Sequence, residues 1–280
     1  MARKAIEPQD RYLEVNGLNL HYLDWGNEKE QPMVLLHGFM AHAHVWDDFA
    51  STFGSQYHVI ALDQRGHGES QWSKDMAYTL DDHFSDIASF VEVLSLNDLI
   101  LIGHSMGGRN ALFFAACASH GPERLILVDS RPDDTLQASQ ALRQLLVTFP
   151  LQARSLDEVV RAIQSLYPYL SRDFCLHIAS YGYRQVQDGT FVPRFDTRMS
   201  LQSGREGYAT EDLWPYMKNI ACPALIVRGK ESSFVSRKVA QKMCKQIPKA
   251  ELREIPKSTH MPAQENPAAL NKVITDFLSN

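Results

Sequence analysis

The stretch Leu99-Ile100-Leu101-Ile102-Gly103-His104-Ser105-Met106-Gly107-Gly108-Arg109-Asn110-Ala111-Leu112-Phe113-Phe114-Ala115-Ala116 decides the fold. Its first four residues are an apolar run that reads as a buried strand, and its last eight read as a helix. Between them stands a Gly-x-Ser-x-Gly turn. Strand, tight turn and helix in that order put Ser105 at the tip, on strained backbone, with its hydroxyl clear of the sheet. Side chains in place of the flanking glycines would collide with the strand and the helix. The helix N-terminal amides point toward the serine, where they can receive an oxyanion. The pentapeptide alone occurs by chance; in this setting it is specific.

The same alternation extends in both directions. Tyr12-Leu13-Glu14-Val15 and Leu18-Asn19-Leu20-His21-Tyr22-Leu23 flank Asn16-Gly17, the strongest two-residue hairpin signal. Met33-Val34-Leu35-Leu36, His58-Val59-Ile60-Ala61-Leu62, Leu125-Ile126-Leu127-Val128, Ala224-Leu225-Ile226-Val227 and Leu252-Arg253-Glu254-Ile255 read as further strands. Phe84, Ile87, Phe90, Val91 and Leu94 have a helical period over 82–94, and a last helix over 267–278 starts at a proline. Strands alternating with helices predict a mostly parallel sheet covered on both faces. After Pro132 the pattern breaks. Residues 133–211 are helical and polar, with a capping-box start at Ser155-Leu156-Asp157-Glu158, a turn at Asp188-Gly189, and no strand suited to the main sheet.

The chain has 280 residues, is 44% hydrophobic and carries a formal charge of −5, enough for one large domain with an insert. It has no long basic run, which argues against nucleic acid or an anionic membrane surface as partner. No apolar segment approaches the roughly 20 residues of a membrane span. Arg3 and Lys4 are not followed by the apolar stretch of a secretory leader, and a cytoplasmic protein is expected. Cys117, Cys175, Cys222 and Cys244 are scattered, without metal or redox spacing, and read as reduced, mostly buried thiols. No Gly-rich dinucleotide fingerprint or histidine ligand cluster stands out, so neither cofactor nor metal is expected.

A serine poised for acyl transfer needs a base, an acid to orient that base, and an oxyanion hole. His260, in Ile255-Pro256-Lys257-Ser258-Thr259-His260-Met261-Pro262 after the last strand, has the position of the base. The amide of Met106 and that of Phe39, in His37-Gly38-Phe39-Met40, are the expected oxyanion donors. In Asp63-Gln64-Arg65-Gly66-His67-Gly68-Glu69-Ser70, Asp63 and Arg65 read as braces and His67 as scaffold.

Together, His37-Gly38, the loop at 63–70, Gly103-His104-Ser105-Met106-Gly107-Gly108, the helical insert and the late histidine resemble the α/β-hydrolase superfamily over nearly the whole chain. The resemblance implies an eight-stranded, mostly parallel sheet flanked by helices, with the active site at its C-terminal edge. It implies core segments at 1–132 and 212–280 and a helical cap at 133–211. It does not specify a substrate.

The chain departs from the family at one point. Most relatives place the triad acid after the seventh strand, three or four residues past a glycine. Here that region is Arg228-Gly229-Lys230-Glu231-Ser232-Ser233-Phe234, with serines where aspartate is usual. Two carboxylates could substitute. Glu231 is near but out of register. Asp129, at the end of the sixth strand, resembles the position from which a subset of the superfamily takes its acid. The missing aspartate favours Asp129.

His37, Met40, Trp46 and Met261, with Phe39 and Met106, are the expected substrate contacts, an apolar wall suited to an uncharged ester. Trp72, Tyr167, Tyr169, Tyr181 and Tyr183 are candidates for the entrance, and Arg109 reads as scaffold. The expected activity is a carboxylesterase-like serine hydrolase acting on small to medium apolar substrates. The alternatives are a lactonase, thioesterase, perhydrolase or C–C bond hydrolase, or a receptor on the same fold with little turnover. Ser105 argues against the family's aspartate-nucleophile dehalogenases and epoxide hydrolases.

Overall fold

Asn16 and Gly17 reverse the chain with φ of 51° and 75°, the left-handed pair a type I′ turn requires. They join β1 (Gln9–Val15) to β2 (Leu18–Asp24) in antiparallel register. The structure, a computed structural model, describes residues 7–133, 144–199 and 211–280. Next come β3 (Pro32–Leu36), α1 (Asp47–Phe53), β4 (His58–Leu62), α2 (Leu80–Val93), β5 (Ile100–His104), α3 (Met106–Cys117) and β6 (Arg124–Val128). The insert carries α4 (Leu156–Leu166), α5 (Arg172–Gly182), β7 (Tyr183–Gln185) and β8 (Phe191–Pro193). The chain finishes with β9 (Ala224–Gly229), α6 (Arg237–Gln246), β10 (Ala250–Ile255), α7 (Pro262–Glu265) and α8 (Pro267–Leu278).

Eight strands form one sheet in the order β1-β2-β4-β3-β5-β6-β9-β10. From β4 to β10 all neighbours are parallel; β2 runs antiparallel to both β1 and β4. This is the α/β-hydrolase fold that the motifs imply. The central strands are buried along their whole length, which is why they read as unbroken apolar runs. Side chains alternate across the sheet, so two cores form. Met33, Leu35, Ile100, Ile102, Ile126, Val128, Leu225 and Val227 face one way, against Phe49, Phe53, Leu270 and Ile274 of α1 and α8. Val34, Leu36, Leu101, Leu125, Leu127 and Ile226 face the other, against Ile87, Phe90, Leu112 and Met243 of α2, α3 and α6.

The insert leaves the sheet after β6 and returns before β9, and its two ends meet where the Leu213 amide donates to the Pro132 carbonyl at 2.9 Å. Val159, Val160 and Ile163 of α4 and Cys175, Ile178 and Ala179 of α5 extend the first core. Ser155 caps α4 by accepting from the Glu158 amide, but Glu158 turns back to the Arg154 amide rather than to the cap residue. The β7–β8 hairpin is an addition to the helical reading, with Gly189 at φ 85° in its turn, and it stays apart from the main sheet. Of the cysteines, all free, only Cys175 is buried; Cys117 is exposed. Among the described residues no helix is long and apolar enough to cross a membrane.

Candidate active site

Ser105 ends β5 and caps α3 with φ 52° and ψ −114°, a conformation that costs a non-glycine residue of order 1–3 kcal/mol. Three contacts hold it there. Its amide donates to the Val128 carbonyl at 3.1 Å, the Ser130 hydroxyl donates to its carbonyl at 2.8 Å, and the Gly107 amide donates to the His37 carbonyl at 3.1 Å. A Cβ at Gly107 would run into the carbonyls of Leu36 and His37, so the close approach of α3 to β3 requires glycine. The hydroxyl is nearly enclosed, the residue being 9% exposed.

Asp129 follows β6 with φ 42°, a second strained residue beside the first. Its side chain has no exposed surface. Oδ1 accepts from the Gly229 amide at 3.0 Å, and Oδ2 accepts from the Ser232 hydroxyl and from His260 Nδ1, each at 2.7 Å. His260 Nε2 lies 3.0 Å from Ser105 Oγ. A carboxylate paired with a neutral imidazole accepts a hydrogen bond from it, so Asp129 fixes the proton on Nδ1 and leaves Nε2 to accept from the serine. Ser105, His260 and Asp129 therefore form one hydrogen-bonded chain. Glu231 is exposed and takes no part in it; its Oε2 accepts from the Tyr169 hydroxyl at 2.6 Å.

Sequence reasoning missed the groups that hold this chain in place. Ser232 was visible only as an absent aspartate; its hydroxyl also accepts from the amides of Phe234 and Val235. His104 Nε2 donates to the His260 carbonyl at 2.7 Å, and burial pushes the pKa of its ring down to about 3, so it stays neutral. Glu265 gathers the loop before α7, accepting from the amides of Thr259 and Met261 and from the Thr259 hydroxyl. The Phe234 ring lies 4.5 Å from the imidazole of His260, centroid to centroid. Tyr167, one of the entrance candidates, has its pKa raised by burial and, to a lesser degree, by the carboxylates of Glu265 and Asp129. For Ser232 and His104 no local signal exists, because Asp129 and His260 come from distant segments.

Phe39, Met40 and Met106 are partly exposed and Met261 is nearly buried. Phe39 and Met40 pack against Tyr78, Phe195 and Met199. A Cβ at Gly38 would lie 3.3 Å from the Ser105 Cβ, so this loop sits directly on the serine. His37 and Trp46 have no exposed surface. Both ring nitrogens of His37 are engaged, with the Gly38 carbonyl and the Gln64 amide, and Trp46 packs edge-on against Phe49 in the first core. Neither offers a face to a ligand. Asp63 accepts from the amides of Ala43 and Glu69 and from His21, while Arg65 pairs with both oxygens of Asp86. His67 is buried and bonds the Arg65 carbonyl. Arg109 reaches the carbonyls of Arg131 and Glu211. The Trp72 indole donates to the Arg194 carbonyl, Tyr183 donates to the Pro150 carbonyl, and Tyr181 stacks on His44. Among the described residues one group, His44, Asp47 and His177, brings three side chains of metal-ligating type together, none of them a member of this chain of hydrogen bonds.

The 2-(acetamidomethylene)succinate hydrolase of Mesorhizobium japonicum is 28% identical over 246 residues, which span 88% of this chain and 87% of that protein. A solved structure of E-2-(acetamidomethylene)succinate hydrolase superposes with a TM-score of 0.88 at 26% identity, over 98% of this chain and 100% of that one. A putative esterase/lipase of Haemophilus influenzae is 24% identical over 255 residues, 88% of this chain and 83% of its own length. The family model described as the alpha/beta hydrolase family matches residues 33–273, and the chain belongs to that family.

Proposed function

We propose that this protein is a serine hydrolase that cleaves carboxylic esters through an acyl-enzyme. The observation that carries the reading is the chain Ser105 Oγ, His260 Nε2 and Nδ1, Asp129 Oδ2, with links of 3.0 and 2.7 Å. His260 takes the proton of Ser105 as the oxygen attacks the carbonyl carbon. Asp129 holds the imidazole in the required tautomer and stabilises the imidazolium. The amides of Met106, at the first position of α3, and Phe39, in the loop seated on Ser105, receive the oxyanion. His260 then protonates the leaving oxygen and activates water to release the acid. Phe39, Met40, Met106, Met261 and Phe234 make the surroundings apolar, which suits a small to medium uncharged acyl group. In this reading residues 133–211 form a cap over the site, between core segments 1–132 and 212–280, with 1–6, 134–143 and 200–210 lying outside the described residues.

A second reading rests on the relatives. A substrate named 2-(acetamidomethylene)succinate carries an acetylated nitrogen, and the same three residues would serve to cleave such an amide. Ligand binding with little turnover, as in a receptor, is the reading that the serines at 232 and 233 keep open. The placement of Asp129 against His260 favours turnover instead.

The test is hydrolysis of p-nitrophenyl esters from acetate to octanoate, beside an N-acetyl enamide, by wild type and by Ser105→Ala. Ester turnover that vanishes in Ser105→Ala supports the proposal. Turnover of the enamide alone favours the second reading, and no Ser105-dependent turnover on either class refutes both.

A further inference from the structure

The geometry points to a divalent transition-metal site, of the kind that takes zinc, at His44, Asp47 and His177. His44 lies in the turn Ala43–Trp46 that follows the β3 loop, and Asp47 opens α1 one helical turn later. His177 belongs to α5, in the insert. His44 Nδ1 and His177 Nε2 lie 3.0 and 3.1 Å from the same carboxylate oxygen, Oδ2 of Asp47. All three ligand atoms fall within 4.8 Å of one another. Two ligand atoms around a tetrahedral zinc ion, each about 2.0–2.1 Å from the metal, stand roughly 3.3 Å apart. Two of the three separations already have that size, so only the two imidazole nitrogens need close.

His177 Nε2 also lies 3.1 Å from the His44 carbonyl, a contact it gives up when it binds the ion, and three features point to a metal beyond these hydrogen bonds. The rings of His44 and His177 are nearly perpendicular, at 84°, with one presenting Nδ1 and the other Nε2 to a common point. The second carboxylate oxygen of Asp47 is buried and has no partner, an arrangement that favours a cation. The side chains are 15%, 23% and 31% exposed, which leaves an approach for the ion. Tyr181 stacks on His44 at 3.6 Å and fixes that ring. Two imidazoles and one carboxylate suit zinc and its neighbours among divalent ions better than magnesium or calcium, which prefer all-oxygen sets. Because the ligands come from both the sheet side and the insert, an occupied site fastens α5 to the segment that leads into α1.

The test uses the full chain stripped of metal with a chelator and titrated with Co2+, read by visible absorption, followed by Zn2+ competition. One equivalent of Co2+ with the absorption of a low-coordinate nitrogen and oxygen site, displaced by Zn2+, is expected. His44→Gln and His177→Gln should each weaken binding by more than roughly tenfold, while His260→Gln binds like wild type. Melting temperatures without metal verify that each variant folds. His177, the most exposed of the three, is the decisive substitution, because its loss spares the core. No Co2+ absorption in the wild type, retention of full affinity in His177→Gln, or loss of binding in His260→Gln overturns the site.

Discussion

Replacing Asp129 by Asn removes a charge and one acceptor while keeping the shape. The carboxylate accepts from Gly229 through one oxygen and from Ser232 and His260 through the other. With its oxygen toward the Gly229 amide, the asparagine turns its NH2 toward the other two partners. The Ser232 hydroxyl already accepts from the amides of Phe234 and Val235, so it can accept from this NH2 only by giving one of them up. The imidazole can accept only by moving its proton from Nδ1 to Nε2, and Nε2 faces Ser105 Oγ at 3.0 Å. A ring protonated there cannot take the serine proton. The same change of tautomer in a serine protease lowers turnover by about 10⁴, or about 5.5 kcal/mol of transition-state stabilisation. Folding stability should fall by about 1–3 kcal/mol, the cost of one buried hydrogen bond at Ser232 left without a free replacement. The assay is kcat and KM on p-nitrophenyl butyrate, beside thermal unfolding of the same preparation. A folded Asp129→Asn variant with turnover within tenfold of wild type refutes the assignment of the acid.

Glu231→Gln should leave turnover within about twofold of wild type, since Glu231 meets Tyr169 at the surface and not His260; a loss as deep as that of Ser105→Ala would move the acid to Glu231. Ser232→Ala removes one charge-assisted hydrogen bond to Asp129, and kcat should fall about tenfold with KM nearly unchanged, measured on the same ester. Gly229→Ala puts a methyl group into the Thr259 carbonyl and displaces the loop that carries His260, so both the melting temperature and kcat should drop, by about 1–3 kcal/mol in stability. Burial holds the pKa of His37 and His104 near 3 and of His42 and His67 near 4, against about 6.5 in the unfolded chain. Their contribution is complete above pH 6.5 and is lost as pH falls below it, where the unfolded chain binds protons the folded one refuses. Urea unfolding between pH 7 and pH 5 measures this, and a flat midpoint would show that these rings are not buried as neutral bases.

The parallel sheet was legible because strands buried on both faces must be apolar at every position, which leaves runs such as Leu125-Ile126-Leu127-Val128 unmistakable. Asn16-Gly17 and the Ser105 turn were legible because only particular residues tolerate those backbone angles. The β7–β8 hairpin was not, since three-residue strands carry no periodicity. His37 and Trp46 were placed near the serine by their position in the chain, but position gives proximity and not direction, and both side chains point into the scaffold. His104 escaped notice for the converse reason, because its task is visible only once β5 and the loop before α7 lie side by side.

Ser232 is the most instructive of these residues. In sequence it reads as a lost catalytic aspartate. In the folded chain its hydroxyl stands 2.7 Å from the Oδ2 of Asp129, the oxygen that also receives His260. An aspartate at 232 would bring a second carboxylate to that point, in a site where Asp129 has no access to water. Two like charges so close and so buried cannot both stay ionised, and one would take up a proton. A single imidazole needs one carboxylate, and a carboxylate at the end of β6 needs donors around it. Serine at 232 supplies one of those donors. The apparent gap after β9 is therefore what an acid at Asp129 demands of its neighbour.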